Sequence, residues 1–236
     1  MQEVSHVVNF SGGKDSTAML IRMLEENMRV DEIIFCKVMA TKEIGAELPE
    51  MYEYIEKIRK YIKLKYNKEI TILEQDKTFE DYFYTKKVRG KRIGEVYGFP
   101  SVLHSWCNTR LKVNVINEYL KKKGKYISYI GIAADEPKRL KRLKENECSM
   151  LEKWNMTEQD CFEFLKRRNL ENPLYENHKR LGCWFCPKQR IETLKILKNE
   201  YPKLWEKLLQ WQKDSPFPFR METTIYDLDR RFTNEK

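Results

Sequence analysis

The stretch Asn9-Phe10-Ser11-Gly12-Gly13-Lys14-Asp15-Ser16-Thr17 constrains the fold of this chain more than any other. Val7 and Val8 before it read as the end of a strand. Ala18, Met19, Ile21, Met23 and Leu24 after it have the spacing of a helix face. A strand, a Gly-Gly turn and a helix start together make a place for phosphate. Glycine lets the backbone approach a ligand and turn its N–H groups into a concavity, and the helix N-terminus adds unpaired donors. Ser11, Ser16 and Thr17 contribute hydroxyls, and Lys14 contributes a mobile cation. The spacing is not that of a Walker A loop, which requires four residues between its first glycine and Gly-Lys-Ser/Thr.

The periodicity after this point alternates. Residues 4–10, 32–39, 69–73 and 126–134 read as strands, the second and fourth as apolar runs buried on both faces. Residues 16–27 and 48–65 read as helices, the latter opening near Pro49. Such alternation predicts an α/β, doubly wound parallel sheet with ligands beyond the carboxyl ends of its strands. Residues 11–16, 36–39 and 131–136 are then expected at one crevice. Residues 75–104 break the pattern with Phe79, Tyr82, Phe83, Tyr84, a basic cluster and several glycines, and read as a surface excursion carrying substrate contacts rather than as core. Beyond Asp135 the pattern turns helical, over residues 157–168 (with Thr157 as N-cap), 190–201 and 204–213. Trp205, Leu208 and Trp211 sit at core spacing there. A boundary near residue 145 is expected, between a nucleotide-binding α/β domain (1–145) and a helical region (146–236).

Charge narrows the partners. The chain carries a net +9, and five of seven residues are basic both at 86–92 and at 138–144. Such clusters favour a nucleotide, a nucleic acid or both. No run of about 18 apolar residues suits a membrane, and the N-terminus lacks a basic-then-apolar leader, so a cytoplasmic location is expected. The oligomeric state is left open.

Several motifs follow one another in a recognisable order. Ser11-Gly12-Gly13-Lys14-Asp15-Ser16 resembles the PP-loop of the ATP pyrophosphatases, which holds the β,γ-pyrophosphate of ATP. Phe35–Met39, Ser105-Trp106-Cys107-Asn108-Thr109-Arg110-Leu111-Lys112, Tyr129–Arg139 and Arg180-Leu181-Gly182-Cys183-Trp184-Phe185-Cys186-Pro187 complete the series. Over roughly residues 4–215 the chain thus resembles the phosphoadenosine phosphosulfate (PAPS) reductase-like family of the PP-loop superfamily. That resemblance implies an adenine nucleotide α-hydrolase-like, Rossmann-like sheet of five parallel strands. It implies that Ser11, Gly12, Gly13, Lys14, Asp15 and Ser16 hold pyrophosphate, and that Gly131, Asp135, Glu136 and Arg139 form a second nucleotide signature. Lys14 and Arg139 would neutralise developing phosphate charge, with Lys14, Asp15 and Arg139 as the catalytic set and Mg²⁺ on Asp15. Helix-start chemistry is the competing reading for Asp135 and Glu136.

The six cysteines are too sparse for a disulfide scaffold. Cys183-x-x-Cys186 supplies half of a thiolate site for zinc or an iron–sulfur cluster. By resemblance Cys107 falls in the region that binds a [4Fe–4S] cluster in sulfonucleotide reductases. Candidates for a fourth ligand are Cys148, Cys161, Cys36 and His178, in that order; core packing competes for Cys161 and Cys36. His6 and His104 receive no catalytic role.

Three functions compete. Adenylation of an acceptor by ATP, preparing it for sulfur or another nucleophile, fits the intact PP-loop. The resemblance to tRNA- and DNA-thiolating relatives makes a nucleic acid a reasonable acceptor. Sulfonucleotide reduction expects a degenerate loop and a nucleophilic cysteine in a Glu-Cys-Gly-Leu segment, whereas the fifty residues after Cys186 contain no cysteine. The third reading is a nucleotide-dependent nucleic-acid-binding subunit of a modification or defence complex.

Overall fold

The computed structural model describes residues 3–101 and 105–235; His104 lies outside them. In chain order the elements are β1 (Ser5–Asn9), α1 (Lys14–Glu25), β2 (Glu32–Cys36), α2 (Pro49–Tyr66), β3 (Ile70–Leu73) and α3 (Phe79–Phe83). They continue with α4 (Trp106–Asn108), a π turn (Thr109–Val113), α5 (Asn114–Lys121), β4 (Tyr126–Ile130), α6 (Pro137–Leu140) and β5 (Glu147–Cys148). The last are α7 (Met150–Lys153), α8 (Glu158–Lys166), a 3₁₀ turn (Pro173–Glu176), α9 (Ile191–Glu200), α10 (Pro202–Asp214) and α11 (Ile225–Asn234).

The five strands pair in parallel in the order β3-β2-β1-β4-β5, with helices on both sides of the sheet. This is the doubly wound α/β architecture that the alternation of strands and helices predicts. From β1 the chain winds outward through β2 and β3, then returns to β4 on the other side of β1. The direction of winding therefore switches between β1 and β4, where such sheets open a crevice for ligands. Asn9 closes β1 opposite Ile34 and Ile130, and its amide donates to Ser128 Oγ at 2.6 Å, tying the end of β1 to the middle of β4. Val7, Val8, Ile33 and Ile34 are buried, as strands covered on both faces require.

The chain forms two compact units, each drawn from three segments. The first comprises Met1–Lys37, Pro49–Glu74 and Val115–Glu176; the second comprises Val38–Leu48, Gln75–Asn114 and Asn177–Lys236. The expected boundary near residue 145 falls inside the first unit. There α7 and α8 pack on α1, and Arg168 clamps Glu25 through two bonds of 2.9 and 2.7 Å.

The second unit is an aromatic core. Phe79 lies 4.1 Å from Phe185, 5.0 Å from Trp211 and 5.2 Å from Trp106, ring centre to ring centre. Phe79, Phe83, Trp211 and Phe219 are almost wholly buried. The expectation that residues 75–104 form an excursion outside the core therefore holds only in part. A Thr78–Asp81 capping box starts α3 and turns Phe79 and Phe83 inward. What projects is a hairpin, in which Lys87 N–H donates to Glu95 O and Tyr97 N–H to Thr85 O. Its turns use Gly90 and Gly94 at φ +91 and +86°, a region that favours glycine. Among the described residues no helix is long and apolar enough to cross a membrane.

Candidate active site

The first unit's site is built on the turn between β1 and α1. Gly12 has φ +75°, and a Cβ there would lie 2.8 Å from Met51 Sδ and 3.3 Å from Ile55 Cγ1. Conformation and space both call for glycine. Ser16 Oγ accepts from Ser11 N–H at 3.1 Å and donates to Gly13 O at 3.0 Å, and Thr17 Oγ1 donates to the same carbonyl at 2.9 Å. These bonds fold the loop back on itself. Its first helical turn keeps N–H groups that no intrahelical carbonyl can satisfy. Asn172 donates to Gly12 O at 3.4 Å, and the Tyr175 hydroxyl accepts from Lys14 N–H at 3.1 Å.

Gly131 sets the other wall. A Cβ on Gly131 would stand 2.5 Å from both N and Cα of Ser16, so β4 can run beside the start of α1 only without a side chain there. Ile132 and Ala133 then bury, and Asp135 and Glu136 emerge on the loop that follows.

Three carboxylates, Asp15, Glu136 and Glu158, gather beside Lys14. Its ammonium lies 2.9 Å from Glu158 and 3.2 Å from Asp15. Burial works against that charge, but the hydrogen bond Lys14 donates to Glu158 and the charge of Asp15 outweigh it and hold the Lys14 pKa above its ordinary value. Asp15 shifts upward too, through burial first, with Glu158 and Glu136 adding repulsion against the pull of Lys14. Asp15 Oδ1 is buried and, apart from the Lys14 ammonium 3.2 Å away, has no polar partner among the described residues. Oxygens of Asp15, Glu136 and Glu158 lie within 4.8 Å of one another, the His/Cys/Asp/Glu trio so arranged among the described residues. Three hard oxygen donors with excess negative charge fit Mg²⁺ better than any soft metal.

Arg139 is held by Glu136 through contacts of 2.6 and 2.8 Å. Asp135 accepts the N–H of Glu158 at 3.1 Å, so its carboxylate anchors the start of α8 rather than that of its own loop. The structure thus brings Ser11 to Ser16, Gly131, Asp135, Glu136 and Arg139 into one unit. It adds Glu158, Tyr175 and Asn172, which the sequence reading did not single out. Glu158 was visible only as an acid in the first turn of a capped helix.

The cysteines divide. Cys107, Cys183 and Cys186 belong to the second unit and influence one another electrostatically. Burial raises the Cys107 thiol to about 11, and burial also pushes Cys183 upward, with Glu47 next in effect. Cys186 N–H donates to Cys183 O, while the Gln189 amide donates to Gly182 O and Cys183 O, pinning the knuckle. As soft donors these three suit zinc or an iron–sulfur cluster, although their sulfurs are not drawn within 4.8 Å of one another as the carboxylates are. Buried His178 is in the same unit. Cys148 lies instead on β5 opposite Tyr129, Cys161 is buried on α8, and Cys36 ends β2, all in the first unit.

The chain is 26% identical over 216 residues to an uncharacterised protein of Methanocaldococcus jannaschii, covering 85% of this chain and 40% of that protein. It is 26% identical over 211 residues to a second protein of the same organism, covering 84% and 45%. The chain therefore spans less than half the length of these two relatives. An uncharacterised nin region protein, ORF290 of Escherichia phage lambda, is 27% identical over 208 residues, covering 80% of this chain and 68% of that protein. Among solved structures, U34-tRNA thiolase NcsA from Methanococcus maripaludis with its [4Fe–4S] cluster is similar over 99% of this chain and 72% of that one, at 17% identity and a TM-score of 0.48. Residues 5–189 match the phosphoadenosine phosphosulfate reductase domain, and the chain belongs to that family.

Proposed function

We propose that this protein is an ATP pyrophosphatase that adenylates an oxygen of its acceptor and releases pyrophosphate. The acceptor oxygen attacks the α-phosphorus, the bond from that phosphorus to the bridging oxygen breaks, and the electron pair leaves on pyrophosphate. A nucleophile such as sulfur or ammonia then displaces AMP from the activated acceptor. The observation that carries this reading is the intact Ser-Gly-Gly-Lys-Asp-Ser turn, closed by Gly131 and facing the Asp15, Glu136 and Glu158 carboxylates.

The loop N–H groups and hydroxyls would bind the β,γ-pyrophosphate. Lys14 would exchange its carboxylate partners for phosphate oxygens, and Arg139 would exchange Glu136 for the α-phosphate. Asp15, Glu136 and Glu158 would hold Mg²⁺, which supplies charge neutralisation on the leaving pyrophosphate. Sulfonucleotide reduction needs an attacking thiolate, and burial works against one at Cys107, Cys148, Cys161 and Cys183.

The test is pyrophosphate release from Mg·ATP, with nucleic-acid and small-molecule acceptors. Release that depends on acceptor and is lost in Lys14→Ala supports the reading. Tight ATP binding with no release from any acceptor would falsify it. Preference for a 3′-phosphorylated sulfonucleotide over ATP, with sulfite produced from a thiol donor, would install the reductase instead.

A further inference from the structure

The second unit holds a cavity of about 330 Å³ that the chemistry above does not use. Tyr97, Trp106 and Phe217 line it, with Phe99 and Phe219 packed edge to face beneath at 5.1 Å. The volume is at the low end for ligand pockets, suited to one ring system. The walls are rigid: Trp106 stacks on Phe79 with an interplanar angle of 11°, and Arg110 sits over the Tyr97 ring while donating to its hydroxyl at 3.1 Å.

Two buried donors on lining residues, Trp106 Nε1 and Arg220 Nε, have no hydrogen-bond partner among the described residues. Native proteins rarely leave such groups unpaired, so two on one cavity call for a ligand with acceptors. Arg220 also bonds to Gln189 O, and among the described residues no carboxylate pairs with it.

The rim is cationic. Lys87 Nζ and the Arg92 guanidinium lie 4.4 and 4.6 Å from the centre of the Phe217 ring. Both come from the hairpin, which also carries Lys86, Arg89 and Lys91. Among the described residues no carboxylate pairs with Lys86, Lys87, Arg89 or Lys91, and Arg92 reaches Glu95 only at 3.8 Å.

We infer that this cavity binds one unstacked base of a single-stranded nucleic acid, with the adjoining phosphates on the hairpin cations. Aromatic walls accept the π-face, the two donors meet ring-nitrogen or carbonyl acceptors, and unpaired cations match the backbone. A duplex keeps its base faces stacked and cannot offer one. Charge complementarity decides the occupant. Val88 and Ile93, exposed on the same hairpin, would also suit an anionic lipid surface, but lipid headgroups make no use of the aromatic walls.

The experiment uses the full chain without ATP, so its result is independent of pyrophosphate release. Fluorescein-labelled 12-nucleotide DNA and RNA strands are titrated beside an abasic strand of equal length, a duplex, and phosphatidylserine/phosphatidylcholine vesicles. Removing the bases is expected to weaken binding roughly 5- to 150-fold. Lys87→Gln and Arg92→Gln, both surface changes that leave folding intact, should each lower the slope of log affinity against log salt by about 1. Phe217→Leu keeps the apolar body and should lower affinity with the slope unchanged. Equal affinity for abasic and normal strands, duplex binding as tight as single-strand binding, an unaffected Phe217→Leu variant, or vesicles that bind while the 12-mers do not, would each overturn the assignment.

Discussion

At the scale of single residues, Gly131 and Glu158 separate the proposed site from a loop that merely looks like one. A methyl group at Gly131 would lie 2.5 Å from backbone atoms of Ser16, so the strand or the loop must move. Gly131→Ala should cost about 1–3 kcal/mol of stability. It should also lower pyrophosphate release on the order of 100-fold, since sub-ångström placement matters in such sites. Gly13→Ala provides the contrast. Its Cβ would meet only Ser11 Oγ at 3.4 Å and Tyr175 OH at 3.6 Å with φ at −76°, so stability should stay within about 0.5 kcal/mol in a thermal melt. Glu158→Gln removes one carboxylate of the trio and the nearest partner of Lys14. The Mg²⁺ concentration for half-maximal pyrophosphate release should rise roughly tenfold, and an unchanged value would show that the trio is not the cation site. Ser11 through Ser16 could be read from sequence because the loop is continuous and its chemistry is local. Glu158 arrives from the start of α8, and Asn172 and Tyr175 from just before and within a 3₁₀ turn, about 150 residues later, and nothing in their own neighbourhood marks them as part of a phosphate site.

Among the elements, three helix starts share one device. α3, α8 and α11 each open on a Thr-x-x-Asp capping box in which the threonine hydroxyl accepts from the aspartate N–H and the carboxylate accepts from the threonine N–H. Thr157 was legible as such a cap. Thr78 was hidden by the aromatic and basic residues that follow it, and α11, although amphipathic, has only 10 residues in which to show its period. β5 has two residues, too few to show any period. In α11 the hydrogen bonds from Thr224, with further help from Arg230, hold the Asp227 carboxyl at about 2, well below its ordinary 3.8. A depressed folded-state pKa contributes stability that is complete above the unfolded value and is lost as pH falls through the folded one. The second unit's resistance to urea should therefore decline between about pH 4 and pH 2, and Asp227→Asn should remove that part of the decline. Thr224→Ala should cost about 1 kcal/mol at neutral pH, where the cap is intact in the parent. Fluorescence of the buried Trp211, close to the start of α11 through Gln212, reports both effects.

For the molecule as a whole, the decisive property is that the chain enters the second unit three times. Sequence alternation located four of the five strands but drew a boundary near residue 145, because the segments that complete the first unit are mostly helical and resemble a separate region. Residues 146–176 supply Leu151, Met156, Cys161, Leu165, Leu170 and Leu174, all buried, and α8 covers α1. Burying a side chain of this size contributes about 1.5–3 kcal/mol. Removing the set forfeits on the order of 10 kcal/mol, comparable with the whole stability of a typical domain. It also removes β5 and the Glu158 that faces Lys14. The second unit would meanwhile lose Phe185 and Trp211 from around Phe79, and Phe219 from against Phe99, leaving Phe79 with only Phe83 and Trp106 of its four ring neighbours. A fragment comprising residues 1–145 is therefore expected not to fold: no near-ultraviolet dichroism, rapid amide exchange in β1 and β4, and no ATP binding. Co-expression with residues 146–236 should restore all three, since both halves of each core are then present. A 1–145 fragment that melts cooperatively and binds ATP would show instead that the nucleotide half is a contiguous domain and that α7 and α8 merely rest on it.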